Sequence, residues 1–238
     1  TLVDFLKEEE IYDKCIFHIS DEPGKEHLEN YKYAYDIVTR LCPDCTFTDS
    51  ISAIDFYETG LIKTPIVAID HIEPFLDKKV SNMWAYYCCA QGRDVSNRFL
   101  SMPSYRNRII GLQLYKYDIK GFEHWGNNFY FSQLSLYEVN PYVTTSADKG
   151  FPSGDAFSVY PGKDGPILSL RAVIFKEALQ DICLCRLLEN YIGKKKVVRL
   201  IDDLADNEIT FKNYPRNSFF VPHVNMELKK LIAKEITE

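Results

Sequence analysis

The chain of 238 residues is 46% hydrophobic and 26% charged, with a net charge of -6. That composition belongs to a globular protein of one large domain or two small ones. The acidic balance argues against nucleic acid as a partner, because phosphate binding needs a basic footprint, and no apolar run reaches the ~20 residues that span a bilayer.

In chain order, "TLVDFLKEEE" reads as the body of an amphipathic helix, as if the chain began partway through a larger protein. Five apolar β-type runs follow: "CIFHIS" (15–20), "CTFTDS" (45–50), "PIVAID" (65–70), "NMWAYYCC" (82–89) and "IKGFEHWGNNFYF" (119–131). Leu28, Tyr31, Tyr35, Val38 and Leu41 fall near helical spacing between the first two, and "SYRNRIIGLQLYKYD" is helical before the fifth. Strands alternating with helices predict a parallel β/α architecture, and runs that are apolar throughout suit strands covered on both faces. A Gly- and Pro-rich stretch at 146–166 reads as a long functional loop. Ser169 to Ile192 reads as a strong helix stopped by Gly193, and the last 45 residues as a charged helix, a loop and the helix "MELKKLIAKEI".

Each β-type run ends in polar or aromatic groups: Asp21-Glu22, Asp49, Asp70-His71, Tyr86-Tyr87, and His124-Trp125 with Asn127-Asn128. In a β/α barrel the chemistry collects at the C-terminal strand ends. Five units are visible where a closed barrel needs eight. The acid pair in "HISDEPG" has two readings. Pro23 and Gly24 break the strand, so both side chains can lean over one face, and two close carboxylates disfavour double ionisation, which suits acid–base cleavage of a glycosidic bond. Alternatively, the pair caps the helix that follows.

"WAYYCC", "PSYRNRIIGLQLYKYDIKGFEHWGNNFY" and "SGDAFSVYPGKDGPILSLR", taken with "HISDEP", resemble glycoside hydrolase family 123, the β-N-acetylgalactosaminidases, over about residues 3–190. The resemblance implies a (β/α)8 TIM barrel with an Asp-Glu pair at the end of strand 4. The chain then supplies roughly strands 4 to 8 plus C-terminal helices, its N-terminal part missing: residues 1–193 as barrel, 194–238 as a helical extension packed on it. It further implies a retaining, substrate-assisted exo-β-N-acetylhexosaminidase without an enzymic nucleophile. Glu22 matches the acid that protonates the leaving oxygen, and Asp21 the residue that orients the substrate acetamide. The alternative is a barrel that binds carbohydrate without catalysis, or an inactive fragment of such an enzyme.

Other candidates for sugar binding are His18, Asp70, Trp84, Tyr86, Tyr87, His124, Trp125 and Asn128. Rings at strand ends can floor or wall a sugar subsite, although aromatics are also core material. Asn128 would bind a hydroxyl or tie its own loop, and His18 would act through a neighbour. Asp155 and Arg171 flank the loop as an ion pair or as sugar contacts. The partners implied are a glycan or glycolipid ending in a β-linked N-acetylhexosamine, and a second chain or preceding segment that completes the barrel. No HxH or HExxH spacing supports a metal-dependent hydrolase on His18, Asp21, Glu22, His71 and His124. Of the seven cysteines, Cys42 and Cys45 form a CxxC that has no second pair, and Cys183 and Cys185 read as core. No metal or cofactor is expected, and the odd count of thiols favours a reducing compartment.

Overall fold

Ser50–Ile51 (β1), Ile66–Ala68 (β2), Trp84–Tyr86 (β3) and Gly121–Glu123 (β4) form a parallel sheet in chain order, in a computed structural model that describes residues 1–237. A parallel bridge between Phe17 and Phe47 sets the first run beside the second. Phe17 N–H donates to the Thr46 carbonyl and Thr48 N–H to that of Phe17, both at 3.0 Å. All five β-type runs are thus present, in the expected order and direction, although each is shorter than its apolar stretch.

Residues 1–86 and 120–123 make up one compact unit; residues 87–119 and 124 onward make up another. The first unit holds the sheet and helices α1 (Leu2–Glu8), α2 (Leu28–Leu41), α3 (Asp55–Glu58) and α4 (Glu73–Asp77). β2 is buried at every position, as expected of a strand covered on both faces. Side-chain alternation and the pairing register put Ser50, Ile66, Ala68, Trp84, Tyr86, Gly121 and Glu123 on one face. On that face the Ser50 hydroxyl donates to Glu123 at 2.9 Å, from the first strand to the fourth. In a flat sheet, three strand spacings would hold them about 14 Å apart. The sheet therefore curves strongly, with this face concave. The curved sheet is open, and no closed barrel is present among the described residues.

The second unit holds α5 (Tyr105–Arg108), α6 (Ile110–Lys116), the antiparallel hairpin β5 (Val159–Gly162) with β6 (Gly165–Leu168), and the helices α7 (Leu170–Ile192), α8 (Lys194–Leu204) and α9 (Phe220–Thr237). Ile109, Leu112, Cys185, Leu188, Val197, Ile201, Val224, Leu228 and Ile232 form its core. Gly111 lets α6 lie directly on α7, since a Cβ there would stand 2.2 Å from the Ala178 carbonyl oxygen. Ser169 caps α7, its hydroxyl accepting the Ala172 N–H, and Gly193 ends the helix at φ 83°. Three expectations need correction. Residues 159–168 pair as a hairpin rather than a loop, because Lys163-Asp164 with Gly165 at φ 142° supplies a turn. The last helix begins at Phe220, since Val221 and Val224 extend the apolar stripe. Cys183 is exposed, whereas Cys185 is buried as expected.

Candidate active site

Asp21 and Glu22 follow the first β-type run, and both are exposed. Glu22 has φ 43°, a left-handed conformation that is costly for a residue with a Cβ and is retained where the surroundings impose it. The backbone therefore reverses at the pair, so that consecutive side chains escape the up–down alternation of a strand. The caps of the following helix are other residues. Gly24 and His27 hold the N-cap positions, with His27 Nδ1 accepting the Gly24 N–H at 3.1 Å.

A buried carboxylate holds this reversal in place. Asp49, fully buried, accepts the Ile19 N–H at 3.0 Å and the Ser20 N–H at 3.3 Å. It also accepts the Tyr31 hydroxyl at 2.6 Å, and His18 Nδ1 lies 3.3 Å away. Burial raises its pKa; the Tyr31 bond and the two backbone donors oppose that. Four groups that converge on one carboxylate offset much of the cost of burying it. His18 thus acts through Asp49. The sequence signals for this anchor were the acid ending "CTFTD" and the α2 tyrosine, which reads equally well as core.

Tyr86 ends β3 on the concave face, and its hydroxyl donates to Glu22 Oε1. The Tyr86 ring is buried, so within the first unit it orients the acid rather than offering a flat face to solvent. Trp84 opens β3 at the opposite end of that strand. Its ring covers Gly121, where a Cβ would come within 2.2 Å of Trp84 Cδ2, so it floors the concave face one layer below Tyr86. Asp70 follows β2, with His71 Nδ1 2.9 Å from its Oδ1.

The remaining candidates belong to the second unit. Tyr87 is fully buried, packing edge-on to His124 with ring centroids 5.5 Å apart. His124 Nδ1 receives the Arg98 guanidinium at 2.8 Å and the Gly126 N–H at 3.0 Å, which leaves the ring proton on Nε2. Nε2 stands 3.3 Å from Asp155 Oδ1, short of hydrogen-bond alignment. Burial lowers the His124 pKa. The other Asp155 oxygen accepts Trp125 Nε1–H at 2.9 Å. Trp125 packs on Phe151 at 4.8 Å and Phe129 at 5.2 Å, yet is 41% exposed. Asn128 is exposed and forms an antiparallel bridge with Phe157, which ties its loop. Arg171 donates to the Gly154 carbonyl, so it braces the loop beside Asp155 through main chain. Sequence reasoning missed Arg98, whose role shows only once the fold has placed it against His124.

The arrangement around Glu22 equips an exposed carboxyl, held by a tyrosine and beside a second acid, to exchange protons with a bound molecule. Residues 1–188 match the catalytic domain of glycoside hydrolase family 123. The chain belongs to that family. A solved structure similar to this family 123 domain is that of a family 123 glycoside hydrolase from Clostridium perfringens, described in terms of glycolipid glycan hydrolysis. The TM-score is 0.63 at 17% identity, covering 99% of this chain and 43% of that one. The domain thus spans less than half the length of that structure's chain, and at such identity the likeness speaks for the fold. No curated protein matches it significantly. Among the described residues no three His, Cys, Asp or Glu side chains gather as metal ligands, and no helix is long and apolar enough to cross a membrane.

Proposed function

We propose that this family 123 domain acts as an exo-β-N-acetylhexosaminidase, removing terminal β-linked N-acetylgalactosamine with retention of configuration. The acetamide carbonyl oxygen of the substrate attacks C1 as the bond to the leaving oxygen breaks, giving an oxazolinium-type intermediate. Glu22 gives its proton to the leaving oxygen, then takes one from the water that opens the intermediate. Asp21 accepts the acetamide N–H and balances the positive charge that develops there. One enzymic acid–base and one orienting carboxylate suffice, because the nucleophile belongs to the substrate.

The observation that carries this reading is the acid pair at a backbone reversal anchored by Asp49, with Tyr86 bonded to Glu22. Adjacent placement suits the chemistry, since the acetamide and the leaving oxygen flank the same carbon. In the second unit taken by itself, the exposed Trp125 face is suited to cover the apolar side of a pyranose, and Asn128 to bind a hydroxyl. The parallel strands are proposed as an arc of a (β/α)8 barrel. The chain-order sheet and the Ser50–Glu123 bond across it support that view. A glycan or glycolipid substrate is proposed by analogy with the Clostridium perfringens enzyme.

Proton NMR of the hydrolysis of a β-N-acetylgalactosaminide by the full-length protein tests the mechanism. The β-anomer should appear first, and a thiazoline mimic of the intermediate should inhibit competitively. An α-anomer as first product would rule out this route.

A further inference from the structure

The CxxC motif takes no part in the chemistry above, yet the fold sets its two cysteines at the ends of one closed turn. Cys42 follows the last turn of α2, its N–H donating to the Val38 carbonyl at 2.8 Å. Pro43 and Asp44 then make a turn that the Cys45 N–H closes on the Cys42 carbonyl at 3.2 Å. Turns closed in this way hold their end Cα atoms within about 7 Å, and a disulfide spans roughly 4.4–6.8 Å between Cα atoms. Both cysteines are free and half-buried. They border a cavity of about 620 Å³ that Tyr12, Phe17, His18 and Phe47 also line. A small thiol reagent therefore has a way in.

We propose that Cys42 and Cys45 are a site of reversible disulfide formation, closed by reaction with a low-molecular-weight disulfide such as oxidised glutathione. Cys45 is the attacking residue, because the Tyr12 hydroxyl donates to its sulfur at 3.4 Å, whereas among the described residues no hydroxyl donates to Cys42. The Tyr12 hydroxyl pKa is pushed up to about 12, first by the bond to Cys45, so it remains a donor. The Cys45 sulfur, losing its proton, attacks the reagent and forms a mixed disulfide while one small thiol leaves with a proton. Cys42 then loses its proton and attacks the Cys45 sulfur, which closes the protein disulfide and releases the second small thiol. The closed turn lies directly before Thr46, whose carbonyl accepts the Phe17 N–H, so the new bond ties the end of α2 to the segment that leads to Asp49 and β1. This inference is independent of the hydrolase reading.

The test treats the purified protein with oxidised glutathione, alkylates the remaining thiols and digests with trypsin. The peptide Leu41–Lys63 contains only these two cysteines. It should appear unalkylated and lighter by two hydrogen atoms, and it should revert with dithiothreitol. The melting temperature of the oxidised protein should rise by about 4 °C, the effect expected of a short covalent loop in a domain of this size. Cys42→Ser should retain glutathione on Cys45, whereas Cys45→Ser should leave Cys42 open to alkylation. Both cysteines alkylated after oxidation, or Cys45 linked to any other cysteine, would overturn the proposal.

Discussion

Asp49 and Asp155 are both fully buried carboxylates, and they hold different things. Asp49 accepts two backbone N–H groups next to the acid pair, so it fixes main chain. Asp155 accepts the Trp125 indole and faces His124, so it fixes side chains. A bend with a residue at positive φ persists only where its surroundings over-determine it, and the Asp49 bonds to main chain contribute to that. A ring in a regular setting needs only its tilt set. The contrast predicts that loss of Asp49 damages turnover, whereas loss of Asp155 damages binding.

The largest expected effect is that of Asp49→Ala. It leaves the Tyr31 hydroxyl and two amides without their acceptor, which costs about 3 kcal/mol in unfolding measurements. A displacement of Glu22 by about 1 Å should lower kcat roughly a hundredfold. If kcat is unchanged in a variant that still folds, Asp49 does not position the pair. Asp155→Ala is smaller: with no acceptor left for the indole N–H, KM should rise about tenfold as Trp125 loses its tilt, with kcat nearly constant. A fall in kcat with KM unchanged would erase the contrast. Tyr31→Phe removes one buried hydrogen bond and should cost about 1 kcal/mol of stability in denaturant titration.

The smallest effect is on pH dependence. Burial lowers the folded-state pKa of His124 below its ordinary 6.5, so the folded protein binds fewer protons there than the unfolded chain. Its contribution to stability is present above about pH 6.5 and is lost as pH falls from there through the lowered value. His124→Asn should therefore flatten the fall in melting temperature between about pH 7 and 5 relative to the parent. An equal fall in both proteins would show that the ring is not held neutral.

Much of the fold was legible because burial writes itself into composition. "PIVAID", apolar as far as Ile69, read as a covered strand and is one, and Ser169 and Gly193 marked both ends of α7. The hairpin at 159–168 was obscured by glycines and prolines that signal loops as readily as turns. At the site, the acid pair stood out as a local anomaly. Its anchors did not, because Asp49 and Tyr31 lie 18 residues apart and meet only through packing. Tyr86 and Tyr87 show the same limit. Neighbours in sequence and alike in chemistry, they separate into a residue bonded to Glu22 and a buried ring under His124.

The most direct test of the central claim is the initial rate on β-nitrophenyl glycosides of N-acetylgalactosamine, N-acetylglucosamine and galactose, for the full-length protein beside its Glu22→Gln variant. The account predicts turnover of N-acetylgalactosaminide, none of galactoside, and a loss of roughly a thousandfold in the variant. Hydrolysis of the galactoside at a comparable rate, or an undiminished rate in Glu22→Gln, would contradict acetamide-assisted catalysis by this pair.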